Sequence, residues 1–271
     1  MIIYYLKRSD SMFIDTHCHI FDEYYDDIDK VINDSFENNI NYFINAGVDT
    51  LSNKEVLQKV EKYNTMYGVI GIHPEYADNY SNEDLLFIEK NISNKKIVGI
   101  GEIGLDYHYE GYNKEKQIKL FESQLILAEK YNIPVVIHSR EATLDTMNTL
   151  KKYKVTGVIH SFSGSLEIAR EYIKMGFKLG VNGVVTFKNS HLKEVIKEIG
   201  INNIVFETDS PYLTPEPLRG HQNYPGNIKH IVSFLSEYLN ISEKDLSDIS
   251  NKNVYEVFKI TINWYLWFYI I

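Results

Sequence analysis

Two histidines, His17 and His19, stand one residue apart at the end of an apolar run. In an extended chain, residues i and i+2 face the same side, so both imidazoles can reach one cation while Cys18 turns away into packing. Five more groups of metal-competent type follow, each at or just past the end of its own apolar run: His73, Glu102, His138, His160 and Asp209. Imidazole and carboxylate without thiolate suit Zn, Mn, Fe or Ni, and the carboxylates tolerate Mg. Taken singly, a histidine at a strand end is usually a hydrogen-bonded structural residue. Six separate segments delivering such groups to one place would reverse that balance. The chemistry such a set would support is metal-assisted catalysis, in which bound divalent cations act as Lewis acids and activate water.

Those groups need elements to carry them. Short apolar runs at residues 13–20, 42–48, 67–73, 97–105, 134–139, 157–162, 177–182 and 204–208 alternate with charged stretches of helical period at 27–38, 53–63, 81–91, 114–131, 141–153, 166–175 and 190–198. Within 114–131, Ile118, Phe121, Leu125 and Ala128 recur on one helical stripe. Two more helices are expected at 227–238 and 242–258, the second opened by Ser242 with Asp245 three residues on. Most of the strand runs are continuously apolar, as in strands covered on both faces. Eight strand–helix units require parallel strands with right-handed crossovers. The expected fold is an α/β TIM (β/α)8 barrel, a single domain at residues 13–258. Residues 1–12 form an N-terminal extension and 259–271 an apolar tail. An open doubly wound sheet is the competitor, but it usually carries a glycine-rich turn after its first strand, where this chain has His17, Cys18 and His19. In a closed parallel barrel, all C-terminal strand ends share one rim, so the seven groups would converge on one mouth.

Around that set lie second candidates. Arg140 follows His138 by two residues, so both face one side if the strand persists, and a guanidinium grips phosphate bidentately. A salt bridge at the strand–helix junction is an equally good reading. His73 precedes Pro74, which restricts its backbone; it contacts phosphate or orders its loop. Asp106 either orients a ligand histidine or caps a turn, and Glu102 has the alternative of a turn carboxylate held by backbone amides. Tyr107, His108, Tyr109 and Tyr112 offer rings for stacking on bases, although an ordinary surface loop is the better reading in a chain with 21 tyrosines. Ser163 and Asn182 fall near the rim and receive no role.

Six segments, in order, resemble those of the TatD-type metal-dependent deoxyribonucleases of the amidohydrolase superfamily: DTHCH at 15–19, GIHP at 71–74, GEIGLD at 101–106, PVVIHSR at 134–140, IHSFSG at 159–164 and ETDSPY at 207–212. The resemblance spans residues 13–258. Arg219, Gly220 and Asn223 also fit, while His221 stands where that family commonly has Lys and is given no role. The resemblance implies that His17 and His19 hold one metal with Asp209, that Glu102 bridges, and that His138 and His160 hold the second metal. Glu102 and Asp209 are then the catalytic carboxylates, with His73 and Arg140 as the substrate-binding candidates named above. It further implies two divalent ions per chain (Mg, Zn or Mn) and 3′-to-5′ cleavage of DNA, with single-stranded ends as the partner.

Composition sets outer bounds. The chain has 271 residues with 44% hydrophobic, ample for a large core. A net charge of −9 argues against a protein that coats nucleic acid through a broad basic surface, though bound cations would restore positive charge at one site. The single cysteine excludes an intrachain disulfide and a cysteine-rich zinc module, and fits a reducing, cytoplasmic setting. The apolar start at residues 1–6 is too short for a signal-peptide core, and Met12 is a candidate start just before the first ordered pattern. The tail at 260–271 is about twelve residues, short of the roughly twenty needed to span a bilayer, so no membrane partner is expected and packing on the body or on a partner is. A barrel hydrolase acting on an ester or amide, such as a D-aminoacyl-tRNA deacylase, is the alternative function. A binding module that kept only the fold would show eroded ligands, whereas all six are present. Likeness of fold does not choose among substrates.

Overall fold

The structure, a computed structural model, describes residues 11–260. Most of the expected N-terminal extension and apolar tail lies outside the described residues. Eight strands form one sheet in chain order, each pair of neighbours parallel. They are β1 (Phe13–Cys18), β2 (Ile40–Ala46), β3 (Met66–Ile70), β4 (Ile97–Asp106), β5 (Val135–Arg140), β6 (Gly157–Ile159), β7 (Phe177–Val181) and β8 (Ile204–Phe206). Between them run α1 (Ile28–Glu37), α2 (Thr50–Lys62), α3 (Asn82–Asn91), α4 (Lys114–Tyr131), α5 (Thr143–Leu150), α6 (Leu166–Lys174) and α7 (Leu192–Ile199). Two further helices, α8 (Ile228–Leu239) and α9 (Glu243–Phe258), complete the layer. This is the expected TIM barrel.

Its interior is filled by Ile14, Ile44, Val69, Val98, Val136, Val158 and Val205, with Val254 and Phe258 of α9 packed against them. A larger cluster joins strand residues such as Phe43, Ile70 and Ile137 to Val56, Phe121, Leu125 and Ile231 of the helices. Burying each such side chain stabilises the fold by about 1.5–3 kcal/mol relative to leaving it exposed.

The seam between β1 and β8 is made differently from the other seven junctions. A single bridge pairs Cys18 with Ser210. The Asp209 N–H donates to the His17 carbonyl at 2.9 Å and the His19 N–H to the Ser210 carbonyl at 2.8 Å. Side chains add the rest: the Thr16 hydroxyl donates to the Phe206 carbonyl at 2.9 Å, and Asp15 accepts from the Thr208 N–H at 3.0 Å and from the Thr208 hydroxyl.

Residue alternation on β1 is broken to serve the mouth. Ile14 belongs to the barrel interior, and an unbroken strand would turn His17, an odd step later, to the helix side. Pairing of β1 with β2 is irregular between Asp15 and Cys18, and that irregularity returns His17 to the interior side.

Where the ladders end, side-chain amides take over from backbone partners. Asn45 bonds both the N–H and the carbonyl of Ile20, at 2.7 and 3.3 Å. Asn53 of α2 does the same for Gly71, at 3.1 and 2.7 Å. Gln124 of α4 clamps Ile72 at 2.8 and 2.9 Å, and Gln117 clamps Asp106 at 2.8 and 2.7 Å. All four amides are buried, so each satisfies two backbone groups that water does not reach. This corrects the expected stripe on α4. Its buried face is Gln117, Leu120, Phe121, Gln124, Leu125 and Ala128, with Ile118 at the margin, because the two glutamines occupy the centre of the face. Gly71 lets β3 approach its neighbour: a Cβ there would lie 2.7 Å from the Gly101 backbone.

Several strands stop earlier than the apolar runs suggest. β3 ends at Ile70, β6 at Ile159 and β8 at Phe206, so His73, His160 and Asp209 sit in the turns just past the strands. His73 opens a short 3₁₀ turn, Pro74–Tyr76. Apolar character continues into these turns because they are buried, and burial alone does not extend a ladder.

Candidate metal centre

All six expected ligands meet at the C-terminal mouth of the barrel, and Glu102 is their common neighbour. Its carboxylate lies 2.7 Å from His138 Nδ1, 3.3 Å from His17 Nε2, 3.7 Å from His160 Nε2, 3.8 Å from His19 Nε2 and 3.9 Å from His73 Nε2. Asp209 Oδ1 lies 3.4 Å from His19 Nε2 and 3.7 Å from both His17 Nε2 and His160 Nε2. His17 Nε2 and His19 Nε2 face each other at 3.2 Å, as the i, i+2 spacing requires.

These separations suit cations better than they suit hydrogen bonds. Two donors each about 2.1 Å from one ion at a tetrahedral angle stand about 3.4 Å apart, close to most of the contacts above. Facing imidazole nitrogens can share at most one proton without repulsion, and a cation removes the conflict. Three trios have the right spacing: His17 with Glu102 and His160, His17 with His19 and Asp209, and His73 with Glu102 and His138. Proximity thus groups His160 with His17 and His138 with His73. The rings of His138 and His160, expected on one ion, have centroids 6.4 Å apart.

The protonation pattern follows from burial and charge. Burial opposes charge on His138, but Asp106 and Glu102, bonded to its two nitrogens, carry it up to about 9. Burial likewise opposes charge on His160, and Glu207, Asp209 and Glu102 carry it up to about 10. His17 is pushed down by burial and by His160. Burial and the neighbouring His138 drive His73 down to about 3, so its ring is neutral. Its Nδ1 accepts the Glu75 N–H at 3.2 Å, which leaves the proton on Nε2, the nitrogen facing Glu102. Glu102 and Asp209 resist burial and stay ionised because the imidazoles around them hold both below the usual carboxylate range.

The second candidates divide. Asp106 makes the contacts that both of its alternatives require: Oδ2 meets His138 Nε2 at 3.0 Å and Oδ1 accepts the His108 N–H at 2.9 Å. Arg140 ends β5 but stays outside the cluster, exposed on the rim, its guanidinium 5.3 Å from the Tyr109 ring centre. No carboxylate pairs with it among the described residues. The rings of the loop after β4 are engaged within the protein: Tyr107 stacks on Tyr112 at 4.6 Å, and His108 pairs with Glu141 of the β5–α5 turn at 2.6 Å.

Glu207 was missed as a working residue. It is fully buried, accepts the Ser161 N–H at 2.6 Å and lies 3.0 Å from His160 Nδ1, the place of a carboxylate that orients a ligand histidine through its far nitrogen. Gly180 makes room for it, since a Cβ there would lie 2.2 Å from Glu207 Oε2. Its signal was its place in the same short polar segment as Asp209, just past the last strand. Asn182, given no role from sequence, donates to the Ser161 hydroxyl at 2.8 Å and steadies the same turn.

With this geometry in hand, comparison with known proteins is informative. The model of the TatD related DNase family matches residues 14–259. A protein of Bacillus subtilis (strain 168) named an uncharacterized metal-dependent hydrolase, YabD, is 37% identical over 254 residues, covering 92% of this chain and 100% of that one. A Methanocaldococcus jannaschii protein, also named an uncharacterized metal-dependent hydrolase, is 30% identical over 253 residues, covering 92% and 98%. Among solved structures, the Escherichia coli K12 TatD homolog YjjV superposes with a TM-score of 0.88 at 28% identity, covering 93% of this chain and 100% of that one. A TatD family hydrolase from Entamoeba histolytica gives 0.82 at 26% identity, covering 93% and 99%.

Proposed function

The chain belongs to the TatD related DNase family of metal-dependent hydrolases, and on that premise we propose that it is a two-metal phosphodiesterase removing nucleotides from the 3′ end of single-stranded DNA. The observation that carries this reading is the convergence of five imidazoles on the Glu102 carboxylate, with Asp209 beside them. His17, His19 and Asp209 would hold one divalent ion (Mg, Zn or Mn), His138 and His160 a second, and Glu102 would bridge. Ions bound there would neutralise phosphoryl oxygens and acidify a water molecule.

The chain's own groups do the rest. Asp209, ionised at neutral pH, accepts the proton of the attacking water. Glu207 and Asp106 hold His160 and His138 so that each presents one chosen nitrogen to the mouth. Neutral His73, with its proton on Nε2, donates to a phosphoryl oxygen instead of serving as a ligand. Arg140 on the rim binds the next phosphate along the strand. The acidic chain makes binding modest and salt-sensitive, and salt-independent nanomolar affinity for duplex DNA would contradict the reading. A cytoplasmic location is proposed with it, on the single buried thiol of Cys18. No helix among the described residues is long and apolar enough to cross a membrane.

The test is chelator-stripped protein refilled with Mg, Mn or Zn and given 3′- and 5′-labelled single-stranded DNA beside an Asp209→Ala control. Stepwise loss from the 3′ end, restored by metal and absent in the control, is expected. A fully metallated protein that cleaves neither DNA nor RNA overturns the reading and directs the search to esters, beginning with charged tRNA.

A further inference from the structure

Tyr212 follows Asp209 by three residues, and its N–H donates to the Asp209 carbonyl at 2.8 Å. Its own carbonyl accepts from Asn223 Nδ2 at 2.6 Å, and buried Asn223 also holds the Thr208 carbonyl at 3.0 Å. The backbone beneath the ring is therefore fixed to the turn that carries Asp209. The ring stands edge-on to His19, with centroids 6.3 Å apart and planes at 67°. It stands edge-on to Tyr24 as well, at 6.0 Å and 71°, and the two hydroxyls meet at 3.2 Å. Tyr24 leans on Phe21 at 6.3 Å, and Gln222 Nε2 holds its carbonyl at 2.6 Å. Despite this bracing, Tyr212 keeps 50% of its surface exposed. The ring gives up the rotational freedom of an ordinary surface tyrosine without the burial that would offset it.

From this we infer a nucleobase platform: Tyr212, braced by Tyr24, stacks on the base attached to the scissile phosphate. The inference rests on the phosphodiesterase reading above. A phosphate held beside His19 and Asp209 would carry its base one sugar away, within reach of the half-exposed Tyr212 ring, whose centroid is 6.3 Å from that of His19. Stacking on an aromatic ring accepts any base, because each has a π-face, which suits digestion without regard to sequence. Across the mouth, the exposed ring of Tyr109 is a poorer platform because the Arg140 guanidinium already lies over it.

The test compares two p-nitrophenyl diesters on Mn-loaded protein, one of thymidine 5′-phosphate and one of 1,2-dideoxyribose 5-phosphate, which lacks the base. Wild type should prefer the base-bearing ester in kcat/KM by roughly 5- to 140-fold, the range that one base–aromatic stack supplies. Tyr212→Leu should abolish that preference and Tyr212→Phe should keep it. Binding of thymidine 5′-monophosphate against deoxyribose 5-phosphate, measured by calorimetry, should lose its difference in the same variant. A wild type that hydrolyses both esters equally, or a Tyr212→Leu protein that keeps the wild-type ratio, overturns the platform and leaves the phosphodiesterase reading standing. A wild type that hydrolyses neither ester overturns that reading, and the platform falls with it.

Discussion

Replacing Gln124 with Met keeps the length and much of the volume of the side chain while removing its amide. Gln124 is fully buried on α4, and its amide satisfies both backbone groups of Ile72, at 2.8 and 2.9 Å. After the change, the Ile72 N–H and carbonyl remain buried without those partners. An unsatisfied buried group costs about 1–3 kcal/mol, so two cost about 2–6 kcal/mol. Part of this is offset, because the amide itself no longer has to leave water on folding. A net loss of about 1–4 kcal/mol is expected in urea unfolding, a large fraction of the roughly 5–15 kcal/mol that holds a typical domain together. Ile72 precedes His73, so substrate binding should weaken as well, with KM rising more than kcat falls. Ile126→Ala, at an exposed position of the same helix, is the control. A Gln124→Met protein within about 0.5 kcal/mol of wild type would refute the reasoning, because some other group would then be satisfying Ile72.

Other expectations concern the mouth itself. Glu102→Ala should lower the metal content of the purified protein as read by elemental analysis; full occupancy with full activity would exclude the bridging role. Metal loading at pH 7 should release protons, since His138 and His160, at about 9 and 10 in the metal-free protein, must give theirs up. Calorimetry in buffers of different ionisation enthalpy counts them, and a count of zero would show neutral imidazoles. The same raised values make these two groups stabilise the metal-free protein fully below about 6.5, and that contribution disappears as pH rises through 9 and 10. Melting in chelator should therefore weaken across that window while metal affinity climbs. Arg140→Ala should raise KM for oligonucleotides about 10-fold, the order of one charge-assisted contact, and flatten the salt dependence of binding; an unchanged salt slope would remove Arg140 from the substrate path.

The barrel could be read from the sequence because burial on both faces writes itself as continuous apolar runs, and eight of them in alternation with helices admit few topologies. The cluster at the mouth was visible for a related reason: polar groups ending apolar runs are costly unless they work together. Strand ends were less visible. His73, His160 and Asp209 lie in buried turns, and apolar composition does not distinguish a buried turn from a strand. The partners of Gln117, Gln124 and Asn53 were hidden altogether, because each bonds backbone remote in sequence, and a glutamine on a helix reads as a solvent-facing residue. Glu207 was hidden by its neighbour, since Asp209 accounted for the motif and left the second carboxylate without apparent work.

The unusual seam has a consequence for chain topology. β1 and β8 are the two ends of the barrel, and residues 19–203 lie between them. Their junction has one bridge and a few bonds where the other strands have ladders. His17 and His19 come from one side of that junction and Asp209 from the other. An ion shared by all three would act as a clasp, fastening the first strand to the last and closing the loop from His17 to Asp209. Closing so long a loop limits the excursions of the unfolded chain more than any local contact can. Peeling away of β1 is then the motion that metal loading opposes, and the same ions that serve hydrolysis would keep the ring from coming undone at its join.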